Sequence, residues 1–437
     1  MISRRGLLAL ASAGALCLPL AACGGSAPDA GGPVKITVWT WKPASDGLAA
    51  VAKDFEKDNP GIKVDVQAIG NPAIWEKITI GMAAGGKGLG DVLHIGVDYL
   101  PSYTEKFPGG LADLRTLGAE KYKDAFAKGL WPTVLGKDGG VYAMPWEVNP
   151  AGLFYRSDLF QKAGIDVAGI KTWDDLIEAG KTLKAKTGAF LIGLNKPAAG
   201  SPDMDFYQML LQQQGAFYFD REGEVTLGSA PAVQAMGLIK KMNDAGIVAD
   251  TSGEGTSKKL IGAGRLAVLP WPAWAVSYIP EMRPEQKGLW RVMSPPAFAV
   301  GGKRAAIVNS TYLSVSGSSP HKAEAFKFVE YALTRPEVVN KVFRQGGVFP
   351  ALTAAYADPM YSAPNPYYGG QPALKTFTDS LGEGADATYY SSDYARALKI
   401  ASDAQTQVLT KGADPAGALS QAARLLAQQT NRKLAAG

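Results

Sequence analysis

A stretch rich in β-branched and aromatic residues, Lys35-Ile36-Thr37-Val38-Trp39-Thr40-Trp41, is followed at once by one whose apolar residues return with helical spacing, and the pairing repeats along the chain. The first stretch alternates residue by residue, as a strand does. The second sets Leu48, Val51, Ala52 and Phe55 at i, i+3, i+4 and i+7, one apolar face of a helix that Ser45 is placed to cap and Asn59-Pro60-Gly61 stops. A strand over 62–68, a helix over 72–84 and a buried strand over 91–95 follow. Helices between strands supply the crossovers that parallel pairing requires, so the chain is constrained to an α/β fold with a helix-covered parallel sheet. The pattern continues with strands at 141–144, 153–156 and 190–194, a helix around 173–185, and a strand over 305–315 through Ile307, Val308, Tyr312 and Leu313. Ser319-Pro320 then opens a helix with Phe326, Val329 and Leu333 inward, since Pro at the first helical position forfeits no hydrogen bond. Asp414-Pro415 repeats the device before a C-terminal helix carrying Leu419, Ala422 and Leu426.

Ahead of this folded part lies a positive pair, Arg4-Arg5, an apolar run from Gly6 to Leu20, and then Leu20-Ala21-Ala22-Cys23. The run has the length of a secretory signal and is too short for a permanent membrane helix, so residues 1–22 are expected to be a cleaved leader. Leu-Ala-Ala-Cys resembles the bacterial lipobox, which implies that Cys23 receives a diacylglycerol and becomes the first residue. The alternative is an ordinary secreted protein cut after Ala22. Ser3-Arg4-Arg5-Gly6-Leu7-Leu8 also resembles a twin-arginine signal, implying export in the folded state. Residues 23–33 are rich in Gly, Ser and Pro and read as a lipidated, flexible tether, with folding beginning at Val34.

The two cysteines exclude much chemistry. Cys17 falls in the leader and Cys23 at the anchor, so the folded part has neither thiol nor disulfide and is held by core burial. With 437 residues, 46% hydrophobic, the chain is ample for two domains sharing a cleft. Removing Arg4 and Arg5 takes the formal charge from +5 to about +3, with acids and bases interspersed, which is no nucleic-acid footprint. Gly81-Met82-Ala83-Ala84-Gly85-Gly86-Lys87-Gly88 approaches a phosphate loop but lacks the hydroxyl after the lysine and follows a helix, so it reads as a helix-to-strand turn. No Gly-x-Ser-x-Gly occurs, and two histidines, His94 and His321, make no His-rich metal site. His94 reads as a satisfied structural residue and His321 as an exposed helix start. No cofactor is implied.

Aromatic placement is the feature that points to a ligand. Trp39 and Trp41 end the first strand, Trp146 and Glu147 lie between two strands, and Trp271 and Trp274 follow the apolar run 266–269. Open α/β sheets bind ligands outside the carboxyl ends of their strands. Sugars suit aromatics placed there, because their C–H faces stack on indoles while carboxylates and amides take the hydroxyls. Trp39 is expected in the core; Trp41, Trp146 and Trp274 are expected at the cleft.

The chain resembles the extracellular solute-binding proteins of ABC importers, in the group that includes maltose-binding protein, over nearly all of its folded part. The similarity is carried by Ile36-Thr37-Val38-Trp39 with the helix 48–57, by Tyr142-Ala143-Met144-Pro145-Trp146-Glu147 and Gly152-Leu153-Phe154-Tyr155-Arg156, by Gly264-Arg265-Leu266-Ala267-Val268 with Trp271 and Trp274, by Asn309-Ser310-Thr311-Tyr312-Leu313, and by 322–331. The resemblance implies a two-lobed, type II periplasmic-binding-protein-like fold, hinged around an interlobe ligand cleft. It implies crossings near 144–152, near 295–304 and after Phe349-Pro350, and lobes made of 34–145 plus 303–350 and of 146–302 plus 351–437. Ligand positions carried over are Trp41, Lys42, Asp98, Trp146, Glu147, Asp205, Tyr207, Trp271 or Trp274 as the stacking indole, Asn309 on the return strand, and Tyr390, Asp393 and Tyr394. Asp393 or Tyr394 stands where maltose binders have a tryptophan, and Trp41 where they have a smaller polar residue, which argues against maltose. The implied partners are a mono- or oligosaccharide, the permease subunits of an importer and, through Cys23, the outer face of the cell membrane; the protein is expected to be a monomer without enzymatic activity. Two alternatives are a secreted glycoside hydrolase using Asp98 and Glu147, and a binding protein for a non-sugar solute.

Overall fold

The computed structural model describes residues 32–196 and 204–435; the leader, Cys23 and the tether through Gly31 lie outside the described residues. The described chain forms β1 (Val34–Thr40), β2 (Ile62–Ala68), β3 (Val92–Gly96), β4 (Met144–Glu147), β5 (Leu153–Arg156), β6 (Ile192–Leu194), β7 (Val248–Asp250), β8 (Val268–Leu269), β9 (Trp290–Met293) and β10 (Thr311–Val315). Two bodies result, a two-lobed α/β fold.

In the first, the strand order is β2-β1-β3-β10-β4. β1 pairs in parallel with β2 and β3, while β10 runs antiparallel to both β3 and β4. β4 therefore points the same way as β1 and β3. The carboxyl ends of β1, β3 and β4 and the amino end of β10 thus share one edge. The helix Ala44–Asp58 covers this sheet through Leu48, Val51, Ala52 and Phe55, all buried as the periodicity predicts. Burying each of the larger three contributes about 1.5–3 kcal/mol, and Phe55 meets Phe328 and Tyr331 edge-on at 5.3 Å.

In the second body, β8-β5-β9 is antiparallel and β6-β7 parallel. The Val268 amide donates to the Leu191 carbonyl at 2.8 Å, joining the two sheets. The helices Ala230–Asp244, Tyr394–Lys411 and Pro415–Thr430 pack on this body, Asp414 capping the last by accepting from the Gly417 amide. Leu419, Ala422 and Leu426 are buried as expected.

Three crossing segments lie side by side between the bodies. Val148 donates to the Phe349 carbonyl and Ala351 to that of Trp146, at 3.0 and 2.9 Å; Val308 donates to Asn149 and Ala151 to Ala306, at 2.8 and 2.9 Å. The second crossing is therefore at 306–308, later than the 295–304 expected.

Other local expectations shift for identifiable reasons. Ser45 does not cap: the chain already turns at Trp41, whose carbonyl accepts from the Ser45 amide, so Ser45 lies inside the first turn with its hydroxyl buried. Pro320 does not open its helix, which starts at Lys322, because the Ser319 hydroxyl accepts from the His321 amide and donates to Asp91. The run 305–315 is not one strand. Asn309, at φ +56°, breaks it, and the part before pairs with the first crossing instead. Val141 only bridges Leu135, so β4 begins at Met144. The 81–88 turn does link a helix to a strand, with Gly85, Gly86 and Gly88 at positive φ.

Candidate functional site

The shared edge of the five-stranded sheet gathers the first group of side chains. Thr40 ends β1, His94 sits in the middle of β3 and Gly96 ends it, Glu147 ends β4 and Thr311 begins β10, all placed by the registers just described. His94 is 1% exposed and satisfied at both ring nitrogens, 2.8 Å from Thr40 Oγ1 and 2.7 Å from Thr311 Oγ1. Burial holds its pKa well below the usual histidine value. Its structural reading from sequence is correct. Trp41 lies flat on the imidazole, centroids 3.5 Å apart and planes 7° apart, and Trp146 meets the ring tilted by 59° at 4.3 Å. Trp146, expected on the cleft wall, is only 2% exposed, so it backs the wall instead of forming its face. Trp39 is buried as expected, with the Lys77 ammonium over its ring.

Trp41 is half-buried and continues into an aromatic row. Trp75 meets it edge-on at 5.1 Å, and Tyr99 stacks on Trp75 at 4.4 Å. Neither Trp75 nor Tyr99 was singled out by the sequence. The available signal was a tryptophan on the first turn of a helix whose buried positions are Ile74, Ile78 and Met82, leaving Trp75 off the core face. Gly96 lies beside this row and makes room for Asp98: a Cβ there would collide with Asp98 Oδ1, while meeting Trp75 only at an ordinary 3.6 Å.

The carboxylates at this edge are strongly perturbed. Burial pushes Glu147 up to about 7 against the bond it accepts from Thr311, Oγ1 to Oε2 at 3.1 Å. Burial, with the negative charge of Asp205 nearby, raises Asp98 to about 6. Asp205 is raised for the same first reason, despite accepting from Asn309 Nδ2 at 3.1 Å. Asn309 itself is held beside the hinge, its carbonyl accepting from Asn149 Nδ2 at 3.1 Å. Asp98 and Asp205 come from different bodies. The charge of Asp205 is thus felt by Asp98 across the cleft.

The second body supplies a further pair of aromatics. Trp271 follows β8 and its carbonyl accepts from the Gly152 amide, while Ala273 donates to Pro150, so the loop is tied to the first crossing. Trp271 and Trp274 stack at 5.6 Å, and Tyr278 meets Trp274 edge-on at 5.5 Å. Trp271 and Asp205 border a cavity of about 490 Å³ with Asn195, Thr251 and Lys258, within the size range of small-molecule sites. A smaller cavity of about 20 Å³, room for a water molecule, lies between Val97, Asn309, Ser310 and Tyr390. The Tyr390 hydroxyl is buried there without a partner, and burial beside Asp98 raises its pKa.

Four carried-over positions are placed elsewhere. Lys42 is exposed and pairs with Asp46 at 3.4 Å along the helix. Tyr207 is fully buried, donating to the Ala232 carbonyl, because its helix turns that face into the second core. Tyr394 is 8% exposed and accepts from Gln208 at 2.9 Å. Asp393 is bound by Arg432 at 2.8 Å. Among the described residues no group of three or more His, Cys, Asp or Glu is placed to hold a metal, and no helix is long and apolar enough to cross a membrane.

Residues 41–338 match the family model of the bacterial extracellular solute-binding proteins. The chain is 24% identical over 424 residues to the lactose-binding protein of Rhizobium radiobacter, covering 94% of each, and 25% identical over 382 residues to the arabinooligosaccharide-binding protein of Bacillus subtilis, covering 84% of this chain and 86% of the other. Among solved structures, the ABC transporter associated binding protein of B. animalis subsp. lactis in complex with β-1,6-galactobiose aligns with a TM-score of 0.73 at 26% identity, over 91% of this chain and 97% of that one. The sugar-binding protein MalE of Xanthomonas citri shares the fold, with a TM-score of 0.76 at 24% identity over 91% and 98%. A family match over most of the chain, on a hinged two-lobed fold with an aromatic and acidic cleft, establishes that this protein belongs to the bacterial extracellular solute-binding proteins.

Proposed function

We propose that the protein captures a carbohydrate outside the cell and hands it to the permease of an ABC importer. The observation that carries this is the pairing, across the crossing segments, of an aromatic row backed by carboxylates (Trp41, Trp75 and Tyr99 with Glu147 and Asp98) with a second stacked pair, Trp271 and Trp274. Indoles take the apolar faces of a pyranose, and carboxylates accept from its hydroxyls. The names of the relatives, a lactose binder, an arabinooligosaccharide binder and a galactobiose complex, favour a di- or oligosaccharide. Trp41, Asp98, Glu147, Asp205, Asn309, Trp271, Trp274 and Tyr390 are the contacts we assign, with Trp75 and Tyr99 added. The lobes divide at the three crossings, close to 34–145 plus 303–350 and 146–302 plus 351–437.

Titration calorimetry against lactose, β-1,6-galactobiose and arabinooligosaccharides tests the reading. Capture near 1 μM corresponds to about 8 kcal/mol. Binding of a peptide, amine or phosphate ester with no response to any sugar would overturn it. The protein is proposed to do no chemistry: an oligosaccharide incubated with it stays intact. Product formation abolished by Glu147→Gln would establish a hydrolase instead. We further propose that Cys23 carries the lipid anchor of a monomer. Cys23→Ala then releases the protein from membranes or leaves it unprocessed, with sugar affinity unchanged.

A further inference from the structure

The buried polar groups at the sheet edge form an unbroken line. Thr40 Oγ1, His94 Nδ1, His94 Nε2, Thr311 Oγ1 and Glu147 Oε2 are linked by separations of 2.8, 2.7 and 3.1 Å, across four strands distant in sequence. Thr40, His94 and Thr311 are 0%, 1% and 7% exposed, so water offers no ready substitute for any of these partners. The line has only one consistent direction while Glu147 is ionised. A carboxylate has no proton to give, so Thr311 donates to it. A hydroxyl has one proton, so Thr311 must then accept from His94 Nε2–H. Neutral imidazole carries one proton, so Nδ1 accepts from the Thr40 hydroxyl. The same imidazole is the plate on which Trp41 lies, 3.5 Å away and 7° from parallel, with Trp146 packed against it at 4.3 Å and a 59° tilt.

We propose that His94 is a positioning residue of the binding site: held as the Nε2–H tautomer by the Thr40–His94–Thr311–Glu147 chain, it sets the plane of Trp41 and the orientation of the Glu147 carboxylate together. This rests on the carbohydrate-binding reading of the cleft. Its physical content is that two different contacts, one stacking and one hydrogen-bonding, share a single buried support. A buried support shared in this way restricts both groups, which lowers the ordering cost of binding. Burial keeps the imidazole neutral, as the chain requires.

The chain has two histidines, His94 and His321, so a long-range ¹H–¹⁵N spectrum of ¹⁵N-histidine-labelled protein at pH 8 resolves the tautomer without a ligand. The expected result is a neutral Nε2–H ring at His94. An Nδ1–H ring, an imidazolium or an even tautomer mixture overturns the proposal. Thr311→Val, which cuts the chain beyond the ring, is expected to abolish the tautomer preference and to weaken the tightest-binding sugar of the panel by about 5- to 20-fold, the worth of one such hydrogen bond. Thr311→Ser keeps the hydroxyl and is expected to restore both readouts. An unchanged affinity in Thr311→Val, or no rescue by Thr311→Ser, reduces His94 to a packing residue and overturns the proposal. If the wild-type protein binds no sugar, the carbohydrate reading fails and the tautomer spectrum alone decides the chain.

Discussion

The two walls of the cleft are built on different supports. On the five-stranded sheet, Trp41 and Glu147 stand at strand ends and are fixed from behind by buried groups, His94, Thr311 and Trp146. On the second body, Trp271 and Trp274 stand on the Leu269-Pro270-Trp271-Pro272 loop and the start of the helix Ala275–Met282, and are supported by each other, by Tyr278 and by backbone bonds to the first crossing. The first wall presents a stacking face and a charged acceptor in fixed relation. The second presents its stacking surface on a loop, apart from Asp205, its acceptor, which stands on a separate helix. Strand-mounted groups hold geometry better than loop-mounted ones, so the first wall is suited to choosing the ligand and the second to covering it.

The strongest test of that contrast is truncation of the two indoles. Trp41→Ala removes a stacking face and uncovers the buried His94 network, and is expected to weaken sugar binding about 30- to 100-fold, roughly 2–3 kcal/mol. Trp274→Ala removes one of two neighbouring indoles, and about a tenfold loss is expected by calorimetry. If Trp274→Ala costs more than Trp41→Ala, the second wall holds the energetic centre and the comparison is inverted.

A stability measurement sharpens the comparison from the electrostatic side. Burial raises Glu147 in the folded protein to about 7, from its ordinary 4.5, so the native state holds this proton more tightly than the unfolded chain. Its contribution to stability is therefore full below about pH 4.5 and is lost as pH rises through about 7. Glu147→Gln cannot ionise, so its stability relative to wild type should improve between pH 5 and pH 8, by about 1–3 kcal/mol in denaturant titrations. A difference independent of pH would mean that the carboxylate is better solvated than its place in the recess indicates. The smallest effect belongs to Lys42→Ala. Its ammonium is exposed and pairs only with Asp46 along the helix, and sugar affinity should stay within about twofold of wild type. A larger loss would place Lys42 on the first wall after all.

Much of the first wall was legible because its logic is local. Alternation along 35–41 and the helical spacing of Leu48, Val51, Ala52 and Phe55 identify a β-α unit, and a tryptophan directly after the strand then lies at the carboxyl edge wherever the sheet goes. Asp98, just after β3, and Glu147, the last residue of β4, are placed in the same way. Trp146 was misplaced because strand alternation distinguishes two faces, and both faces of this sheet are covered. Tyr207 and Tyr394 were misplaced for a related reason: a tyrosine at the start of a helix reaches cleft or core according to the helix's rotation, and here both hydroxyls found buried partners, Ala232 and Gln208. Trp75 was overlooked because nothing in its own helix reveals that Trp41 and Tyr99, from distant segments, come to flank it.

The amino-acid order by itself determined the alternating α/β architecture, the aromatic and acidic residues at strand ends and the absence of a His-rich metal site, because each depends on periodicity, short spacing or residue counts. Only the tertiary structure decided which of those side chains are free. Asp393 is taken up by Arg432, whereas Asp205 is left in the cleft beside Asp98, with Asn309 as its donor. His94 finds Thr311 across 217 positions of chain. A side chain's availability depends on the partners that folding delivers to it from distant strands and from the other lobe, and burial then makes each such pairing costly to exchange for water.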